Sequence, residues 1–339
     1  MAAKPTIELV ALRAGVSIAS VSRVINGTVA RPATEAKVKA AIAELGFQPN
    51  SAARALKVRK SDQICLSFAD LGNPAYLAIT KGINSVLRDS KYRLILSSSV
   101  STQDDIINHL LSLGRGYADG LIISPIVTSP EITRSIAELG IPTVLVGTMP
   151  SGLNIDNVYI DSAKGIDLTI TYLKEIGKKK IALVNGPLET NPGRRRNKGF
   201  QDAMTKSTLK FSNQSFFVAS DFTSHAAHEL LATSTKIRDF DAVVCANDLL
   251  AAGVIKALTD QGVTVGKEIA VTGMDNTELA TILNPTLTSV DLRAEKRGEL
   301  AAELLLERIA DPTAKPRKVE VQPELVIRQS TSPTKKSKN

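Results

Sequence analysis

Apolar positions in the first fifty residues recur at three- and four-residue spacing. Ile7, Val10, Ala11 and Ala14 fall on one face of a helix over residues 7–14. Val21, Val24 and Ile25 fall on one face of a second helix over 17–26. Gly15 can carry the backbone through the tight turn between them. Ser17 stands where an N-cap hydroxyl accepts from the first unpaired amides. Thr34 is the expected cap of a third helix, in which Val38, Ala41, Ile42 and Leu45 close a small core and Gly46 ends the run. The face of the second helix turned away from this core holds Ile18, Ala19, Ser22, Arg23 and Asn26. A short helix carrying one cation, a hydroxyl, an amide and small apolar groups fits a major groove and can contact base edges there. The pattern is that of a helix-turn-helix.

From about Ser61 the period changes. Short β-rich apolar runs at 63–70, 92–99, 120–126, 142–147, 157–161, 180–186, 215–220, 242–248, 270–275 and 324–328 alternate with helical stretches at 76–90, 103–114, 130–139, 163–176, 194–205, 224–236, 249–261 and 293–310. Such alternation predicts parallel sheets with helices on both faces, and this many strands predicts two α/β lobes. Ligands of such folds lie at the carboxyl ends of strands. There the chain places Asp70, Asn73, Ser124, Thr148, Arg196, Asp221, Phe222, Asn247 and Asp275. A polar set of this kind suits a hydroxyl-rich small molecule, although Asp and Asn at strand ends also serve as helix caps.

Charge sharpens the first reading. Net charge is +8, and residues 1–60 hold ten basic against three acidic side chains, so nearly all the excess lies beside the predicted helix-turn-helix. Phosphate neutralisation needs cations there. The segment 51–57 is rich in helix formers but too short to hold alone, so it is expected to be a hinge that orders on contact. Its Leu56 suits a minor-groove wedge, the alternative being packing on the neighbouring domain. No apolar run approaches a membrane span and no secretory signal is evident, so the expected compartment is the cytoplasm. Cys65 and Cys245 sit in separate apolar runs and are expected to be buried free thiols. Arg194, Arg195 and Arg196 form a possible phosphate clamp. His225, His228 and Glu229 share a helical face, but without a fourth ligand they are expected to be a surface cluster and not a metal site. No phosphate loop, cofactor fingerprint or nucleophile–base pair is present, so neither cofactor nor catalysis is expected.

Specific motifs then point to a family. Ala14-Gly-Val-Ser17, Val21-Ser-Arg-Val-Ile-Asn-Gly27, Glu44-Leu-Gly-Phe-Gln-Pro-Asn50 and Ala53-Arg-Ala-Leu56 resemble the headpiece and hinge of the LacI/GalR family of bacterial transcription regulators. Gly186-Pro187 through Arg196-Asn-Lys-Gly-Phe200, Ala246-Asn-Asp248 and Gly273-Met-Asp275 resemble its sensor domain. The resemblance implies an α + α/β protein: a headpiece over 1–49, a hinge helix and linker over 50–61, and two Rossmann-like lobes over 62–330, as in periplasmic sugar-binding proteins. The first lobe would take about 62–161 plus 292–318, the second about 162–291 plus 319–330, and 331–339 would be a disordered basic tail. It further implies a homodimer on a near-palindromic double-stranded operator, with no membrane partner, controlled by a small-molecule effector. Ile18, Ala19 and Arg23 would contact bases; Ser17, Ser20, Ser22 and Asn26 would fix the helix on the backbone; Arg54, Leu56 and Lys57 would act in the hinge. Arg196 and Asp275 match the polar pair that holds effectors, with Tyr76, Ser124, Phe222 and Asn247 lining the cleft. Glu8-Leu9 and Glu35 depart from the family's usual residues. Thr190 stands where the purine-responsive branch has an arginine, so a sugar or polyol is favoured over a purine or other metabolite. A transport solute-binding protein is the reading from another class, and the basic headpiece argues against it.

Overall fold

The computed structural model describes residues 5–25, 27–48, 60–98, 103–113, 116–232 and 234–331. The chain divides into two compact units, Met1–Ser61 and Asp62–Asn339.

In the first unit, α1 (Ile7–Ala14), α2 (Ile18–Ile25) and α3 (Pro32–Leu45) enclose Val10, Ala11, Ala14, Val21, Val38 and Ala41, with Val24, Ile25, Ile42 and Leu45 packed against them. Gly15, at φ 63°, caps α1, and Gly46, at φ 61°, caps α3. Both take the left-handed conformation that only glycine adopts freely. Ser17 Oγ accepts from the Ser20 amide at 3.2 Å, the expected cap of α2. Thr34 is not a cap: α3 starts two residues earlier, at Pro32, whose fixed φ suits the first helical turn, and Arg31 precedes it without a side-chain cap bond.

The second unit carries two six-stranded sheets. The first has the order β11-β5-β4-β3-β1-β2, from β1 (Gln63–Phe68), β2 (Arg93–Ser98), β3 (Gly120–Ser124), β4 (Thr143–Val146), β5 (Asp156–Ile160) and β11 (Lys318–Val321), all parallel. The second has the order β12-β10-β9-β8-β6-β7, from β6 (Ile181–Asn185), β7 (Phe216–Val218), β8 (Ala242–Cys245), β9 (Ala270–Met274), β10 (Thr288–Asp291) and β12 (Glu324–Val326). Only the β10–β12 pair is antiparallel. Helices α4 (Pro74–Leu87), α5 (Gln103–Leu113), α6 (Pro130–Ala137), α7 (Ser162–Glu175), α8 (Asn191–Lys206), α9 (Ser224–Ala232), α10 (Asp248–Asp260), α11 (Leu279–Ile282) and α12 (Ala294–Ala310) connect the strands. Each sheet reverses its winding between its first and third strands in chain order, so each lobe has a crevice at those carboxyl ends.

The chain passes between sheets after β5, after β10 and between β11 and β12. Lys318–Val321 therefore belongs with the first sheet, three residues beyond the expected boundary at 318. Residue 331 also differs from expectation: Thr331 is fully buried and its hydroxyl meets those of Thr288, at 2.7 Å, and Tyr172, at 3.0 Å. Residues 332–339 lie outside the described set. Cys65 and Cys245 are buried free thiols.

One helix pair positions part of the cleft. Where α4 crosses α12, a Cβ on Gly82 would lie 2.0 Å from Glu295 O, and one on Gly298 would lie 2.2 Å from Ile79 O. The two glycines let the backbones touch, which sets where Tyr76 and Arg297 enter the space between the lobes.

Candidate functional site

A cavity of about 620 Å³ opens between the lobes at the carboxyl ends of the strands. It lies among Tyr76, Ser124, Arg196, Phe222, Asn247 and Asp275, so the six residues expected at an effector site are brought to one place.

At its centre, Arg196 on α8 and Asp275 at the end of β9 are 8% and 9% exposed. Arg196 Nη1 donates to the Ala246 carbonyl at 2.6 Å, Nη2 stands 3.8 Å from Asp275 Oδ1, and Nε has no partner. The pair attracts without a direct hydrogen bond, leaving donors and acceptors aimed at the gap. Burial lowers the Arg196 pKa against the pull of Asp275, and burial raises that of Asp275 against Arg196 and Arg297. Asp275 at φ 104° and Asn276 at φ 49° both hold left-handed backbone that costs non-glycine residues about 1–3 kcal/mol each. Asp275 N donates to Val290 O at 2.8 Å and Asn276 N to Ser289 Oγ at 3.0 Å, so β10 clamps this turn. Asp248, behind it, accepts from Ser289 Oγ and from the amide and hydroxyl of Thr277. Burial, aided by the Asp275 charge, pushes its pKa up to about 7.

The remaining lining residues are held equally firmly. Tyr76 stacks on Phe68 with centroids 4.7 Å apart, and its hydroxyl is hydrogen-bonded to Ser124. Asn247 is the N-cap of α10, accepting from Leu250 N at 2.8 Å, while its amide donates to Phe222 O at 3.0 Å. It fixes the Phe222 loop. Thr190 caps α8 by accepting from Gly193 N at 3.1 Å.

Other sequence signals resolve without a ligand. Arg194 bonds Glu189 O and Asn191, Arg195 lines the cavity but pairs with Asp161 at 2.9 Å, and Arg196 faces Asp275, so the three do not form a joint clamp. His225 pairs with Glu229 and His228 with Asp260, and no metal-binding cluster occurs among the described residues. Arg297 on α12 was not singled out by the sequence. It lines the cavity and is 8% exposed. Its neighbours Glu295, Lys296 and Glu299 make it read as part of a solvated face. The signal was its register, since residue 297 shares a helix side with the buried Ala294 and Ala301.

On the headpiece, Ser17, Ile18, Ala19 and Arg23 are exposed together along α2, with Ser20 and Ser22 half-buried beside them. Glu35 is engaged with Lys39 at 2.7 Å on α3. Asn26, Arg54, Leu56 and Lys57 lie outside the described residues.

A helix-turn-helix with an exposed basic second helix, followed by two lobes around a buried polar cleft, defines a ligand-responsive DNA-binding protein. Comparison with known proteins agrees. The description "Bacterial regulatory proteins, lacI family" matches residues 6–50, and "Periplasmic binding protein-like domain" matches residues 170–331. The ribose operon repressor of Escherichia coli K12 is 32% identical over 331 residues, covering 96% of this chain and 99% of that protein. A structure of the transcriptional regulator CelR with cellobiose is 29% identical at a TM-score of 0.71, covering 96% of this chain and 99% of that one. A structure of the lac repressor dimer bound to operator and the anti-inducer ONPF is 25% identical at a TM-score of 0.86, covering 97% and 100%. The chain belongs to the LacI family of bacterial regulatory proteins and is a DNA-binding transcriptional regulator with an effector-binding carboxyl-terminal domain. No helix among the described residues is long and apolar enough to cross a membrane.

Proposed function

We propose that this regulator is a cytoplasmic repressor that grips a near-palindromic operator as a homodimer and answers to a sugar or polyol held between Arg196 and Asp275. The observation that carries the effector reading is the 3.8 Å gap between two buried, oppositely charged groups in a polar cavity. Hydroxyls of a sugar can donate to the carboxylate and accept from the guanidinium, satisfying both where water is excluded. Tyr76 and Phe222 offer the ring surface on which a sugar stacks. The ribose operon repressor and the cellobiose complex of CelR are relatives whose names carry sugars.

In the headpiece, Ile18, Ala19 and Arg23 read base edges, while Ser17, Ser20, Ser22 and Asn26 hold the helix on the backbone. Arg54, Leu56 and Lys57 are assigned to the hinge on sequence alone. Arg23 is tested by measuring affinity for a set of single-substitution operators. Arg23→Ala is expected to cost about 1–3 kcal/mol at one position of each half-site and to relax preference there. An equal loss on every sequence would make Arg23 a phosphate contact instead.

A further inference from the structure

Arg297 poses a physical problem. It is 8% exposed, and its Nε has no hydrogen-bond partner. Among the described residues no side chain forms a hydrogen bond or ion pair with its guanidinium. Asp275, Tyr76, Arg196 and Asp291 act on it from a distance. Each acid nearby is already engaged. Asp275 is nearest Arg196, at 3.8 Å. Asp291 accepts from the Asn276 amide at 3.3 Å and from Arg293 N at 2.6 Å. Asp248 accepts from Ser289 and Thr277. Asp70, Glu189 and Asp221 line the cavity but are exposed at its rim, where water screens them. The buried floor therefore holds a guanidinium, that of Arg297, whose donors no side chain takes up, with Asp275 and Asp291 acting on its charge without touching it. Buried donors without acceptors are unfavourable, and an arginine held in that state at a cleft is a candidate ligand contact.

We propose that the effector is a small polyhydroxylated acid with a single carboxylate, and that Arg297 binds that carboxylate. This rests on the cleft being the effector site, and it narrows the ligand from polyols in general to acidic ones. The guanidinium fork matches a carboxylate with two parallel hydrogen bonds. A phosphate ester would add a second charge that Asp275 opposes. The Arg196–Asp275 gap and the Tyr76–Ser124 pair remain for the hydroxyls.

The test is calorimetric titration of the full chain with matched pairs: D-gluconate against D-glucitol, D-ribonate against ribitol, D-glucuronate against D-glucose, and D-glucose 6-phosphate as the phosphate arm. In the native chain at least one carboxylate should bind about 30-fold or more tighter than its neutral partner, the scale of one or two charge-assisted hydrogen bonds. Arg297→Gln should bring that ratio to about threefold or less and leave neutral affinity within about threefold. An acid-to-neutral ratio near one in the native chain, with neutral binding lost in Arg196→Ala, overturns the acid and leaves the cleft reading standing. Binding by no compound, or binding indifferent to Arg196→Ala, overturns both. Equal weakening of acid and neutral ligand by Arg297→Gln makes Arg297 a latch between lobes and overturns the proposal. Tighter binding of the phosphate ester than of any carboxylate overturns the single-charge form.

Discussion

Arg196→Ala is expected to leave the chain on its operator and deaf to its effector. On the proposed reading the guanidinium supplies charge-assisted hydrogen bonds to the ligand from a buried wall, and it offsets the buried charge of Asp275 across 3.8 Å. Losing the ligand bonds removes about 1.5–3 kcal/mol each, so effector affinity should fall by about 30- to 1,000-fold. Part of the effect falls on the free protein. Asp275, already pushed toward its neutral form by burial, loses the stronger of the two charges that oppose that push. Its pKa should rise further. Arg196→Lys keeps the charge without the fork and should recover only part of the affinity. Thermal-shift titration reads effector affinity, because a ligand that binds only the native state raises its melting temperature. Fluorescence anisotropy on labelled operator reads DNA binding. A variant with native effector affinity would remove Arg196 from the site.

Gly298→Leu is expected to be the most damaging single change in the sensor. A Cβ alone at this position would sit 2.2 Å from the Ile79 carbonyl oxygen, and that atom is backbone in a helix packed over the first sheet. Overpacking costs about 1–3 kcal/mol when side chains can yield, and here the helices themselves must separate. A loss of at least about 3 kcal/mol should lower the melting temperature of the sensor by roughly 6–12 °C. Arg297 would be displaced with the helix, so any chain that still folds should lose acid preference as well. Lys296→Ala, two residues away on the exposed side, is the control and should change stability by less than about 0.5 kcal/mol. A Gly298→Leu chain that melts with the native one would show that the helix crossing is not as tight as described.

Where the hydrophobic period was strong, the sequence was enough. The faces of α1 and α2 and most of the parallel strands follow from spacing, because each is built on one continuous apolar set. The elements that escaped have no such set. β10 is Thr288-Ser-Val-Asp291, polar by composition yet buried, because its hydroxyls bond Asp248, Thr331 and the Arg328 carbonyl across 40 or more residues. Partners that distant leave no mark on local periodicity. β11 is an edge strand of alternating charge, Lys318-Val-Glu-Val321, whose pairing with β5 fixes it. In the cleft, the strand-end rule located Arg196, Asp275 and Asn247. It could not find Arg297, whose charged neighbours Glu295, Lys296 and Glu299 read as a solvated face and which enters the cavity where Gly82 and Gly298 let α4 and α12 touch. It also could not foresee that Asn247 spends both ends of its amide on Leu250 and Phe222.

On the proposed function, cleft occupancy and operator binding govern one another. Its most direct test measures, for native chain, the operator dissociation constant with and without the tightest-binding compound from a panel of sugars, polyols, sugar acids and purines. The same compound's dissociation constant is then measured with and without operator. Coupled sites must change each other's affinity by one common factor. Equal factors are expected, on the order of 5- to 150-fold. A compound that saturates the cleft, yet leaves operator affinity unchanged, would contradict it.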